Sequence, residues 1–158
     1  MYNNNFLLFV FCLWISSSSS SCPNGWTRHD ASCYHFSHDT ESMPVAAIVC
    51  QQMGGSLAEI ESPEEGGFLS AQAKSLNHDF WIALSDIQEE GIWLWYGSKT
   101  PLATTGYKNW ANHEPDNYNG DENCALLGKS AGQWWDNPCH NFKRYICEKT
   151  DEPGEIVG

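Results

Sequence analysis

Between residues 40 and 53 the apolar positions Met43, Ala46, Ala47 and Cys50 recur every three or four residues, the spacing of one helix face. Ser42 is placed to cap this helix, and Pro44 is tolerated only near its start. Gly54 and Gly55 stop it. Residues 56–60 alternate and predict a strand. A second helix start follows, with Ser62 as cap, Pro63 at the first helical position and Glu65 placed to complete a capping box. It runs to about Leu76, although Gly66 and Gly67 weaken its first turn. Residues 80–84 form a continuous apolar run, the signature of a buried strand. Residues 92–96 form another after an acidic turn at 86–91. Short strands are predicted at 34–36, 125–127, 133–136 and 144–147. One strand, two helices and then many short strands and loops make a single α+β domain.

Against that pattern, residues 110–124 (WANHEPDNYNGDENC) have no helical or strand periodicity. Asn, Asp, Gly and Pro mark a loop. Glu114, Asp116, Asp121 and Glu122 crowd it with Asn112, Asn117, Asn119 and Asn123. Clustered carboxylates repel one another unless neutralised, and a hard cation with oxygen ligands, calcium above all, suits carboxylates and Asn carbonyls. The other reading is a solvated acidic loop. The spacing is not that of an EF-hand.

Composition sharpens this. The chain of 158 residues carries 8 Lys and Arg against 20 Asp and Glu, a formal net charge of −12. Nucleic acid is a poor partner for such a surface, as are anionic membranes. Aromatic residues reach 13%, enough for a packed core. At the start, a ten-residue apolar run at 6–15 is too short to span a bilayer, so no membrane insertion is expected. Small residues follow it, with Ser19 and Ser21 before Cys22. Residues 1–21 therefore read as a secretory signal peptide, with an n-region that lacks Lys and Arg. Residues 22–149 make the domain, and 150–158 a flexible tail. The expected location is secreted and extracellular. Without Cys12, six cysteines remain: Cys22, Cys33, Cys50, Cys124, Cys139 and Cys147. An even number in a secreted chain implies three disulfides, for which fifteen connectivities exist. No Cys-x-x-Cys pair points to zinc.

Taken together, these motifs resemble a C-type lectin-like domain of the long form, over essentially the whole mature chain. The resemblance is carried by the hairpin cysteines Cys22 and Cys33, by Cys50 on its helix, and by Trp81-Ile82-Ala83-Leu84, similar to the family's WIGL. It is completed by Glu114-Pro115-Asp116, by Glu122-Asn123-Cys124, and by Trp134-Trp135-Asp136 before Cys139. It implies two helices flanking short antiparallel sheets with a long calcium-binding loop region. It implies disulfides Cys22–Cys33, Cys50–Cys147 and Cys124–Cys139. It also implies a principal Ca2+ site at Glu114, Asp116, Glu122 and Asp136, and a cis peptide before Pro115. A second, weaker site would use Asp86, Glu90, Asn117 and Asn123, because Asn is a neutral donor where many members have Asp.

Two departures bear on function. Trp135 stands where the family has the Asn of an Asn-Asp pair, and Asp116 ends the tripeptide where mannose-type members have Asn. In the family, sugar hydroxyls bind the calcium, donate to acids and accept from amides. An ionised carboxylate cannot donate. A sugar held by Glu114, Asp116, Glu122 and Asp136 would lose two hydrogen bonds, each normally contributing about 0.5–1.5 kcal/mol. Asn137 is a candidate replacement ligand, and Trp135 either stacks on a sugar or blocks the pocket. The resemblance implies a calcium-dependent lectin for mannose-type or galactose-type glycans, microbial surfaces among them, in innate recognition. Homo-oligomers would raise the avidity of such shallow sites. The alternative is a member of the fold that binds protein, mineral or ice. Nothing reads as an enzyme: no nucleophile elbow, triad or phosphate loop is present. His113 and His140 read as surface residues, and Trp81, Trp93, Trp95, Trp110 and Trp134 as core.

Overall fold

A computed structural model of the chain describes residues 22–151. The expected leader, Cys12 within it, and residues 152–158 of the expected tail lie outside the described residues. Among the described residues no helix is long and apolar enough to cross a membrane.

The amino-terminal hairpin is β1 (Thr27–His29) and β2 (Ser32–Phe36), after a turn in which the Trp26 N–H donates to the Pro23 carbonyl. Helix α1 (Met43–Gln52) buries Met43, Ala46, Ala47 and Cys50, the four positions whose spacing predicts it. Ser42 occupies its N-cap without a side-chain bond, so it starts the helix by its extended backbone alone. Strand β3 (Ser56–Leu57) is shorter than the predicted 56–60. Helix α2 (Pro63–Leu76) has a true cap, with Ser62 Oγ accepting from the Glu65 N–H at 3.2 Å. The reciprocal half of the box is displaced: the Glu65 carboxylate accepts from the Glu61 N–H, one residue before the cap.

Strand β4 (Phe80–Ser85) is buried at all six positions, which is why it reads as an uninterrupted apolar run. Strand β5 (Leu94–Trp95) keeps only two of the five predicted residues. Next come β6 (Cys124–Leu127), β7 (Trp134–Asn137) and β8 (Arg144–Thr150). The spatial order is β1-β2-β8-β4-β6-β7, with β3 added to β8 and β5 to β4. Strand β8 runs one residue past the expected boundary at 149, and Asp151 beyond it pairs with Arg28 at 2.8 Å.

Two features depart from the expected two helices on antiparallel sheets. A third, one-turn helix α3 (Leu102–Thr105) follows Pro101 and ends at Gly106. Four residues are too few for a hydrophobic period, so only Pro101 and Gly106 foreshadow it. Strands β4 and β8 pair in parallel, Phe80 with Arg144 and Trp81 with Tyr145, and the sheet is therefore mixed.

The disulfides are Cys22–Cys33, Cys50–Cys147 and Cys124–Cys139. Cys50–Cys147 pins α1 to β8 across 97 residues of sequence. In the chain-entropy account, a loop of that length removes about 4–5 kcal/mol of freedom from the unfolded chain. Trp81, Trp95 and Trp134 are fully buried, and Trp134 meets Trp95, Tyr107 and Trp110 edge to face. The Trp81 indole N–H donates to the Glu41 carbonyl at 2.9 Å. Trp110 opens the loop of residues 110–124, and its contact with Trp134 joins the loop to this layer.

The β6–β7 turn is fixed by Gly132, at φ +65°, whose carbonyl accepts from Ser70 Oγ and Asn109 Nδ2. A Cβ here would overlap the Ser70 side chain. Gly132→Ala is expected to destabilise the domain by about 1–3 kcal/mol. A thermal melt would show a Tm several degrees lower, and an unchanged Tm would mean the turn is free to move.

Candidate functional site

The loop of residues 110–124 is held to the sheet by backbone bonds at its start. The Ala111 N–H donates to the Trp134 carbonyl, and the Glu114 N–H to the Ala111 carbonyl. The Glu114–Pro115 peptide is cis. From there the loop folds over Asp136, which stands on β7 opposite Ala125 and is 4% exposed. One oxygen of Asp136 accepts from the Asp116 N–H at 3.3 Å, and the other from the Asn117 N–H at 2.7 Å. The Tyr118 N–H is shared by Asp116 Oδ1 and Glu122 Oε2, both at 3.0 Å. Asn117 Oδ1 accepts from the Glu122 N–H at 3.1 Å. The loop is thus built on backbone N–H groups pointing at carboxylates. No Lys or Arg makes an ion pair with any of these four acids among the described residues.

Glu114, Asp116 and Asp136 each present one oxygen, and these lie within 4.8 Å of one another. Glu122 stands beside this trio, joined to it through Tyr118. The proximity is electrostatically costly. Burial first, then the hydrogen bond and charge of Asp136, then the charges of Asp116 and Glu122, push the Glu114 carboxyl up to about 8. Glu122 is also raised, again chiefly by burial, with Asp136 and Asp116 adding to it. A divalent cation would relieve the repulsion and use the oxygens that converge. The donor set is all hard oxygen, as calcium requires.

Of the residues expected at the second site, Asp86 and Asn123 meet through the backbone, the Asp86 N–H donating to the Asn123 carbonyl at 3.2 Å. Asp86 is 3% exposed. Its Oδ2 accepts from the Gly91 N–H at 2.8 Å, and its Oδ1 is buried with no hydrogen-bond partner. Burial raises its pKa, and the charges of Glu90 and Asp136 raise it further. A buried carboxylate oxygen without a donor fits a cation ligand. Glu90 is exposed on the turn, and Asn117 already gives its side-chain oxygen to Glu122. Among the described residues no third acid, His or Cys joins Asp86 in a compact group.

The trio opens into a cavity of about 460 Å3. Trp135 lines it, 42% exposed and paired with Leu126 across the β6–β7 ladder. It is therefore beside the acids and not over the core. Asn137 lines the cavity too, but its Oδ1 accepts from Asn141 Nδ2 at 2.8 Å. Tyr118, Lys129 and Lys143 also line it, and no sequence signal marks them. Tyr118 is hidden among loop polar residues, and the two lysines are fourteen residues apart with no motif around them. His113 and His140 are exposed.

The family description "Lectin C-type domain" matches residues 39–149. The chain belongs to the C-type lectin domain family. Among relatives of this C-type lectin domain, "C-type lectin domain family 4 member M" of Nomascus concolor is 36% identical over 128 residues. That match covers 81% of this chain and 31% of the relative, so the chain spans about a third of that protein's length. Among solved structures, the mouse scavenger receptor C-type lectin carbohydrate-recognition domain superposes with a TM-score of 0.76 at 34% identity. It covers 83% of this chain and 98% of its own. A calcium-independent type II antifreeze protein superposes with a TM-score of 0.71 at 28% identity, covering 82% and 95%. The C-type lectin fold thus includes members that differ in what they bind.

The raised carboxyls give this C-type lectin domain a pH signature when no ion is bound. A carboxyl whose pKa is higher folded than unfolded favours the folded state below its unfolded pKa. That contribution is lost as pH rises through the folded value. For Glu114 the window runs from about 4.5 to about 8. In EDTA, Tm is expected to fall across this window, and Glu114→Gln to flatten part of the fall. A variant as pH-dependent as the parent would show that Glu114 carries no such strain.

Proposed function

We propose that this C-type lectin domain is a calcium-dependent carbohydrate-binding module of a secreted protein, acting by recognition without catalysis. The observation that carries the reading is the convergence of Glu114, Asp116 and Asp136 on one point of an exposed loop, with Glu122 beside them. These are the positions at which the family's ligands are expected. Asp86, with its unpartnered buried oxygen, is the anchor of the second site with Glu90, Asn117 and Asn123. A bound calcium ion supplies a Lewis-acidic centre for vicinal sugar hydroxyls. The carboxylates orient those hydroxyls by accepting hydrogen bonds from them. The carbohydrate-recognition domain among the structural neighbours supports a sugar ligand.

Glu114 leans the site toward mannose-type diols, with galactose-type glycans as the competing class. Microbial surfaces are the setting in which weak single sites gain from repetition, and homo-oligomers would add avidity. The antifreeze neighbour motivates a second reading, a member that binds protein, mineral or ice through the same loop face. Free sugar separates the two, because it competes only in the first.

A glycan array probed with the refolded chain tests this. Binding is expected in calcium, lost in EDTA and restored by added calcium. A Tm raised by calcium with no glycan bound would favour the second reading. The missing amide can be supplied: Asp116→Asn keeps an oxygen for the Tyr118 N–H and adds a donor toward the cavity. It is expected to tighten mannose about 2- to 10-fold, the equivalent of one hydrogen bond. Weaker binding would mean that Asp116 is needed as an anion.

A further inference from the structure

The cavity that holds the acids is lined by opposite charge as well. Its lining includes Lys129 and Lys143 besides Glu114, Asp116 and Asp136. The topology explains why the lysines meet. Phe80 of β4 pairs with Leu127 of β6 and with Arg144 of β8. Lys129 lies two residues after Leu127, and Lys143 immediately precedes Arg144, so both leave the sheet at one end. Asp136 is two residues further along β7 than Trp134, the partner of Leu127. Trp135 stands between, half-exposed, on the same cavity wall.

Among the described residues Lys74, Lys108, Lys129, Lys143 and Arg144 all lack an ion pair, and of these Lys129 and Lys143 line the cavity. Acids outnumber bases 20 to 8, so a lysine has carboxylates in plenty to pair with. Elsewhere Arg28 pairs with Asp151, Lys99 lies over Tyr96 and Lys149 over Trp26. Lys129 and Lys143 make no ion pair among the described residues. Asp79 lines the cavity too, and its Oδ1 accepts from the Lys129 backbone N–H at 2.9 Å. Where Glu114, Asp116 and Asp136 converge with Glu122 beside them, four carboxylates outweigh a single divalent ion. A neutral sugar uses only that position, and two lysines on the wall that carries Trp135, Lys129 exposed and Lys143 half-buried, suit an anion carried on the same sugar.

We propose that the ligand of this cavity is a glycan bearing a sulfate ester or a carboxylate, held by Lys129 and Lys143 while its ring lies against Trp135. This rests on the lectin reading and narrows it to acidic glycans.

The test uses three polymers displaying galactose, galactose 6-sulfate and galacturonate, with the corresponding mannose series, each titrated against the full chain in calcium and in EDTA. An acidic member is expected to bind at least about fivefold more tightly than its neutral parent, the equivalent of one good exposed ion pair. The sulfate and carboxylate arms tell which group is taken. The preference should shrink as ionic strength rises. In the double variant Lys129→Ala, Lys143→Ala the ratio of acidic to neutral binding should fall to about one, with the calcium-induced rise in Tm serving as the check on folding. Equal binding of neutral and acidic members, or a preference that survives the double substitution or EDTA, overturns the proposal and leaves the lectin reading standing. Failure of every member to bind in calcium overturns both. Should the double variant not fold, the salt dependence of the wild-type preference decides, and a salt-insensitive preference overturns the proposal.

Discussion

Everything at the loop depends on one buried acid. Asp136 lies on a sheet strand, nearly inaccessible, with both oxygens accepting backbone N–H groups from the loop above it. Those two bonds fix Asp116 and Asn117. Asn117 then orients Glu122, and Tyr118 draws Asp116 and Glu122 to one N–H. Hydrogen bonds to carboxylates thereby tie residues 116–122 to one another and to β7. The cost is electrostatic: Glu114 is pressed against Asp136 and its carboxyl is pushed up to about 8. Acids held together by N–H donors, at the expense of mutual repulsion, form a site that gains from a cation.

The sheet makes such an arrangement tolerable. Strands β4 and β6 are buried throughout, and the Trp95–Trp134–Tyr107–Trp110 cluster supports the loop from below. The disulfide Cys124–Cys139 ties the start of β6 to the segment after β7, bracketing Asp136. Cys50–Cys147 holds the helical layer to the same sheet. With the frame locked on both sides of the acids, the loop itself need contribute little to stability.

Much of this was legible in the sequence, and what was not has identifiable causes. Helix α1 was visible because four buried residues recur at its period, and β4 because both its faces are covered. Helix α3 was not, since one turn carries no period. The parallel β4–β8 pairing was not either, because residues 80–85 and 144–150 are distant in sequence and no local signal sets their direction. At the site, Glu114, Asp116 and Glu122 stood out as an acidic cluster. Asp136 was identified through family resemblance, but its bonds to the loop backbone depend on a fold that brings residues 116 and 136 together. Lys129 and Lys143 are ordinary surface residues until β4, β6 and β8 align them.

Calorimetric titration of calcium into the full chain at pH 7, in two buffers of different ionisation enthalpy, reads both the affinity of the loop and the protons that leave it. With Glu114 largely protonated before binding, calcium is expected to bind saturably and to release about one proton to the buffer. Absence of saturable calcium binding, or binding with no proton released, would contradict this expectation and return the loop to a solvated acidic surface or to a site that does not use Glu114.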